Sequence, residues 1–259
     1  MNLLKIISDI EKVDAEVYEK LSSRRAMLRH LSGSGMKWAA VPVIMGSTLN
    51  KAKAQSSAVT DVLNYALTLE YLEDDFYKSG LAAAGLIPED RKVIFQQISK
   101  HESAHVVFLK SVLMQMSSTP VSKPAFDFTA GGMFADVFTN YQTFLALSQA
   151  FEDTGVRAYK GRAAELLDNA TVLTAALQIH SVEARHASMV RRLRAEKGWI
   201  TGNNNSGLPV AIYAGEDNVM QGGASITDLG YSAAAATEAF DEPLTPDDVL
   251  AIAGSFLTS

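Results

Sequence analysis

Two short clusters, His101-Glu102-Ser103-Ala104-His105 and His180-Ser181-Val182-Glu183-Ala184-Arg185-His186, hold four of the chain's five histidines. Each contains Glu-x-x-His, at Glu102/His105 and at Glu183/His186. Both lie in stretches of helical periodicity, where residues three apart share a face. One carboxylate and one imidazole of each cluster can therefore reach a common point. A fold that uses both clusters must lay two helices side by side and find something to satisfy two glutamates in its interior, since a buried carboxylate is costly unless paired or ligated.

Two further glutamates repeat the pattern. Glu70 and Tyr77 are seven residues apart, as are Glu152 and Tyr159, with Lys78 and Lys160 directly following. Glu70 precedes Glu102 by 32 residues and Glu152 precedes Glu183 by 31, so the two halves read as one helical hairpin used twice. The apolar period predicts helix A over about 58–84, helix B over 88–116, helix C over 134–167 and helix D over 171–198. Gly85 marks a stop, and Pro88 with Glu89 and Asp90 a start. The A–B and C–D links are short, and the Ser/Thr/Pro/Gly-rich stretch 117–132 makes a long B–C crossover. Glu70 to Ala84 and Pro88 to Glu102 both span fourteen residues, about 21 Å at the α-helical rise, which sets the two glutamates at one level. A Glu-x-x-His from each of two helices plus a Glu from each of the other two is the ligand set of a two-metal carboxylate site in a bundle core.

The chemistry left to the chain narrows the choice. It has no cysteine, which removes thiolate ligands, disulfides and thiol catalysis and leaves metal binding to carboxylates and imidazoles. Of its 23 basic and 29 acidic residues, nine and five fall in 1–54, leaving 14 and 24 beyond and a net charge there near −10. Such a surface repels nucleic acid and anionic lipid and attracts cations.

The N-terminal segment has a different character. Ser23-Arg24-Arg25-Ala26-Met27-Leu28-Arg29 resembles a twin-arginine export motif; a weakly apolar stretch from Met36 to Leu49 follows, then Ala52-Lys53-Ala54, a small-x-small cleavage site. The expected organisation is a signal region over 1–54, a four-helix bundle over 55–198, and a C-terminal segment over 199–259. That last segment reads as loop over 199–230, with two short helices at 232–240 and 246–257 packing on the bundle. Met1 to Ser22 reads as an amphipathic helix that an export signal does not explain.

Leu69-Glu70-Tyr71-Leu72-Glu73 with Phe76-Tyr77, the two Glu-x-x-His clusters, and Tyr213-Ala214-Gly215-Glu216-Asp217-Asn218 together resemble the ferritin-like superfamily, specifically its exported bacterial members related to desiccation-associated proteins. The resemblance implies an all-α ferritin-like four-helix bundle with two Fe or Mn ions, zinc entering such a site only adventitiously. Glu70 and Glu152 would be terminal ligands, Glu102 and Glu183 bridges, and His105 and His186 one imidazole per metal. His180, Tyr77 and Tyr159 would surround and orient those ligands. The expected partners are metal ions, small oxidants and the twin-arginine translocase, with a periplasmic or extracellular location. The activity is expected to be handling of O2, peroxide or Fe2+, with a non-catalytic stress-associated bundle as the alternative. Oligomeric state is not written in the spacing.

Two rival readings use the same residues. His101-Glu102-x-x-His105 is also the pattern of zinc metalloproteases, which leaves the second cluster unexplained. A metal-free bundle would have to satisfy four core glutamates by mutual hydrogen bonds. Glu73, Asp74, Asp75 and Asp153 are expected on solvated faces, with Glu73 a spare ligand at most. Glu216, Asp217, Glu238, Asp241 and Glu242 read as an acidic group without metal spacing.

Overall fold

A computed structural model describes residues 46–258, with side chains from Ser57 onward. The arginine pair and the amphipathic segment 1–22 lie outside the described residues. The described chain is mostly helical. Helix α1 runs Gly46–Ala82, α2 Glu89–Gln115, α3 Tyr141–Arg162 and α4 Ala170–Leu193, with a 3-10 turn Ala163–Leu166 between the last two. Two short helices, α5 Ala233–Glu238 and α6 Pro246–Gly254, follow. No helix among the described residues is long and apolar enough to cross a membrane.

The helix ends have local causes. Glu89 and Asp90 occupy the first turn of α2, where carboxylates complement the exposed N–H groups. Asn140 caps α3 by accepting from the Gln142 N–H at 3.0 Å, and Asn169 caps α4 by accepting from Val172 N–H at 3.1 Å. Helix α3 therefore begins at Tyr141 rather than near Phe134. The residues before it are tied into turns by Asp127, whose carboxylate accepts from the Thr129 N–H and hydroxyl and from the Gly131 N–H. At the other end α4 stops at Leu193, five residues short of the expected Gly198, because Ala195 takes a left-handed φ of 62°. Helix α1 starts earlier than expected, so Ala52-Lys53-Ala54 falls within its backbone span.

The C-terminal segment holds a 3-10 turn, Val210–Tyr213, and a ribbon where the sequence reads as loop. Met220–Gln221 and Ala224–Ser225 pair as a two-residue antiparallel ribbon closed by Gly222 and Gly223, whose φ values of 57° and 83° are those of a primed hairpin turn. Further on, the tail runs beside the B–C crossover. Asp127 N–H donates to Phe256 C=O at 2.8 Å, and Thr258 N–H to Ala125 C=O at 3.1 Å.

The bundle interior is layered. One apolar cluster gathers Leu72, Phe76, Phe95, Ile98, Phe144 and Phe151, joined by Val249 and Phe256 from the C-terminal segment. Another gathers Leu63, Leu67, Val106, Leu109, Val172 and Ile179. The helical positions between these clusters are the glutamates and histidines.

Candidate metal centre

Each of the four long helices contributes to that polar layer. Helix α1 brings Glu70, α2 Glu102 and His105, α3 Glu152, α4 Glu183 and His186. The six form two groups of potential ligands: Glu70, Glu102, His105 and Glu183 in one, Glu102, Glu152, Glu183 and His186 in the other. Within each group the ligand atoms lie within 4.8 Å of one another, and Glu102 and Glu183 belong to both. His105 Nδ1 stands 3.1 Å from Glu70, 3.0 Å from Glu102 and 3.1 Å from Glu183. His186 Nδ1 stands 2.8 Å from Glu102, 3.3 Å from Glu152 and 3.6 Å from Glu183. All four glutamates are fully buried.

Proximity here is not the same as satisfaction. Glu102 Oε1, Glu152 Oε2, both Glu183 oxygens and His186 Nδ1 are buried without a well-aimed hydrogen bond. Lone pairs that converge from several sides on one point, with no proton directed between them, are what a cation needs. The charge state says the same. Burial pushes the Glu70 carboxyl up to about 8 and raises Glu152 well above the carboxylate range, in each case against a histidine's pull. Burial also works against the charged imidazoles, but the surrounding glutamates win, raising His105 to about 12 and His186 well above its usual value. For Glu183 burial is outweighed by the adjacent imidazoles of His105 and His186, which hold it low. Without metal the layer must take up protons to stay buried; divalent cations supply that charge instead. The donor set, all carboxylate oxygen and imidazole nitrogen, suits iron or manganese and accepts zinc.

The groups around this layer are partly those expected and partly not. Tyr77 on α1 donates to Glu152 Oε1 on α3 at 2.5 Å, and Tyr159 on α3 donates to Glu70 Oε1 on α1. Each tyrosine thus holds the glutamate of the other hairpin, and the two bonds show that α1 and α3 run antiparallel. His180 does not touch the cluster. Its Nδ1 is buried without a hydrogen-bond partner, and burial lowers its pKa. The histidine that does touch is His101: its Nδ1 lies 2.8 Å from His186 Nε2, with the rings stacked at 12°, and its Nε2 lies 2.7 Å from Gln97. His101 belongs to neither ligand group, so the zinc-protease arrangement has no counterpart among the described residues.

Three acidic side chains expected in solvent are buried. Glu73 is 3% exposed, and burial followed by the charges of Glu183 and Glu152 drives its carboxyl far above the usual range. Asp74 accepts from Ser103 at 2.6 Å and from Lys78 at 2.7 Å. Asp153, next to Glu152, is clasped by Arg191 at 2.8 Å and by the Tyr213 hydroxyl at 2.6 Å. Only Asp75 matches its reading, paired to Lys123 near the surface. Glu216 is no loose acidic residue either. It is fully buried, 2.8 Å from Arg157 Nε, and it accepts from the Glu242 N–H at 3.0 Å. Arg157 also donates to the carbonyls of Ile212, Ala214 and Glu242, so a buried guanidinium ties the C-terminal segment to α3. Apart from Lys78, one turn from Asp74, helical periodicity could not find the partners of these buried groups, because they come from other elements, up to 85 positions away.

Comparison with known families adds one finding. The ferritin-like domain family matches residues 58–196, more than half of the chain and all four long helices except the first turns of α1. Among curated proteins none matches the chain.

Proposed function

The chain belongs to the ferritin-like domain family, and on that premise we propose that it is an exported dinuclear carboxylate protein holding two iron or manganese ions and acting on O2, peroxide or Fe2+. The observation that carries the reading is the pair of four-ligand groups that share Glu102 and Glu183, with buried acceptor atoms left unsatisfied. Glu102 and Glu183 would bridge, Glu70 and Glu152 would close the ends, and His105 and His186 would each bind one ion. Two such ions, if bound, would supply electron exchange with small oxidants. The chain's own part is positional. Tyr77 and Tyr159 fix one oxygen of each terminal carboxylate and leave the other free to ligate. His101 holds His186 by its second nitrogen, which sets the imidazole's orientation and tautomer. The apolar clusters above and below keep bulk water out, so the attraction between ions and carboxylates is little screened.

Export rests on Arg24-Arg25, the apolar stretch and Ala52-Lys53-Ala54. Passage through the twin-arginine translocase, which carries folded proteins, would deliver the bundle to the periplasm or beyond with its metal in place. Cleavage after Ala54 would leave α1 intact from Gln55. A second reading, a stress-associated bundle that is stapled by metal and turns nothing over, is favoured by the depth of the layer.

Elemental analysis of protein from its native compartment, with oxygen uptake measured on adding Fe2+, separates these readings. Two ions per chain with oxygen consumption supports the first. Two ions without consumption supports the second, and absence of metal rejects both. The export step is tested by Arg24→Lys with Arg25→Lys, which should retain the protein inside.

A further inference from the structure

We propose that Glu73 is a seventh ligand of this centre and its fifth carboxylate, reaching the metals from the side of α1 and α3 and making the two halves of the duplicated site unequal. The proposal rests on the dinuclear reading above and adds a ligand to it.

The first argument is register. Tyr77 meets Glu152 and Glu70 meets Tyr159, so the antiparallel helices place residue 73 level with residues 155–156, midway between the two terminal glutamates. In the repeat that matches Glu70 to Glu152 and Tyr77 to Tyr159, the counterpart of Glu73 is Gly155. Only one half carries a side chain at this level, and the other half leaves room for it. A Cβ on Gly155 would lie 3.1 Å from Glu73 Oε1 and 3.9 Å from Glu183 Oε2, so Glu73 and the shared Glu183 border the same small space.

The second argument is that Glu73 has no other employment. It is 3% exposed, yet among the described residues it makes no hydrogen bond and no ion pair. Every other buried acidic side chain outside the two four-ligand groups has a named partner: Asp74 has Ser103, Asp153 has Arg191, and Glu216 has Arg157. An unpaired carboxylate in such surroundings is costly unless a proton or a cation compensates it. The four bridging and terminal glutamates all press on it electrostatically, which places it within their field.

The third argument is room to move. Glu73 lines a cavity of about 10 Å³, the space of a single water, together with Leu69, Leu72, Phe151, Thr154 and Gly155. Its oxygens lie outside both four-ligand groups, so ligation requires the side chain to swing from this cavity toward Glu183. The cavity's walls are mostly apolar and offer the carboxylate nothing better.

The test uses the full chain stripped of metal and titrated with Co2+, followed by calorimetry and by the visible ligand-field band, which strengthens as coordination number falls. Wild type should take two Co2+ per chain. Glu73→Gln, which keeps size and removes charge, should still take two, but one about tenfold or more weakly and with a stronger band. Glu73→Asp, which keeps the charge but shortens its reach, should act in the same direction, and it carries the test if Glu73→Gln does not fold. Two Co2+ bound by either folded variant with wild-type affinities and an unchanged band would overturn the proposal while leaving the dinuclear reading intact. Fewer than two in wild type would remove that reading, and this proposal with it.

Discussion

The two hairpins, α1–α2 and α3–α4, carry matched candidate ligands in unmatched surroundings. Glu70 corresponds to Glu152, Glu102 to Glu183, His105 to His186 and Tyr77 to Tyr159, and each tyrosine binds the opposite helix's glutamate. Between these points the halves diverge. Tyr71 and Asp75 on α1 stand where α3 has Asp153 and Arg157. Asp75 pairs with Lys123 at the surface, whereas Asp153 and Arg157 are buried and hold α4 and the C-terminal segment. Helix α3 is buried almost continuously from Phe144 to Tyr159, packed by the bundle on one side and covered by residues 200–256 on the other. The lesson is that positions facing the bundle axis keep the repeat, while positions facing outward follow whatever covers them.

The largest break in this comparison is expected at the ion pairs. Arg191→Ala leaves the buried Asp153 without its cation and should destabilise the protein by about 3–5 kcal/mol. Lys123→Ala frees the partly exposed Asp75 and should cost less than about 1 kcal/mol. Denaturant unfolding of both variants reads the contrast; equal losses would mean that the second half is no more tightly clasped than the first.

Metal removal comes next, and it acts on both halves together. Ions that bind only the folded state stabilise it by about 2.7 kcal/mol at a hundredfold excess over Kd. Chelation should therefore lower the Tm of wild type and leave a Glu102→Ala/Glu183→Ala variant unmoved. The stripped protein should also respond to pH. Glu70 is raised to about 8 and His105 to about 12, so the folded state binds more protons than the unfolded above about pH 4.5 and 6.5 respectively. Stability is then lost as pH rises through each window. The depressed Glu183 opposes this only as pH falls into the acid range. Calorimetric scans of stripped protein between pH 5 and 8 should show a falling Tm, and a rising one would refute the charge balance described here.

The crossed tyrosines offer a finer comparison. Tyr77→Phe frees Glu152, and Tyr159→Phe frees Glu70, each at about 1–3 kcal/mol for a buried acceptor left unpaired. Each should weaken one metal position, in the hairpin opposite the mutation. Calorimetric metal titrations of the two variants and of Glu152→Ala and Glu70→Ala would reveal that pairing. If Tyr77→Phe resembled Glu70→Ala instead, the crossing would be wrong.

The smallest effect is expected at His101. It contacts His186 but ligates in neither group, so His101→Ala should keep two metals per chain, with affinity lowered by about 10–100-fold at one of them. Loss of all metal in this variant would restore the zinc-protease arrangement.

The sequence by itself determined the bundle and the six glutamates and histidines that meet in its interior. Helical period fixes which residues share a face, and matching residue counts on either side of a short link fix their level, so Glu70 and Glu102 can be aligned without coordinates, and Glu152 and Glu183 to within about a turn. The all-α architecture, the long crossover and the short C-terminal helices follow from the same local signals. What only the tertiary structure decided lies outside that axis. His101, adjacent to Glu102 and about 100° around the helix, meets His186 because α4 passes there. Asp153 and Arg157 face away from the axis and would be solvated on an isolated bundle; Tyr213, Glu216 and the carbonyls of 212–214 cover them. Glu73 is buried because Gly155, 82 residues away, leaves it space. Burial and charge pairing are decided by what arrives from distant parts of the chain, and a helix's own periodicity records the direction of a side chain but not its company.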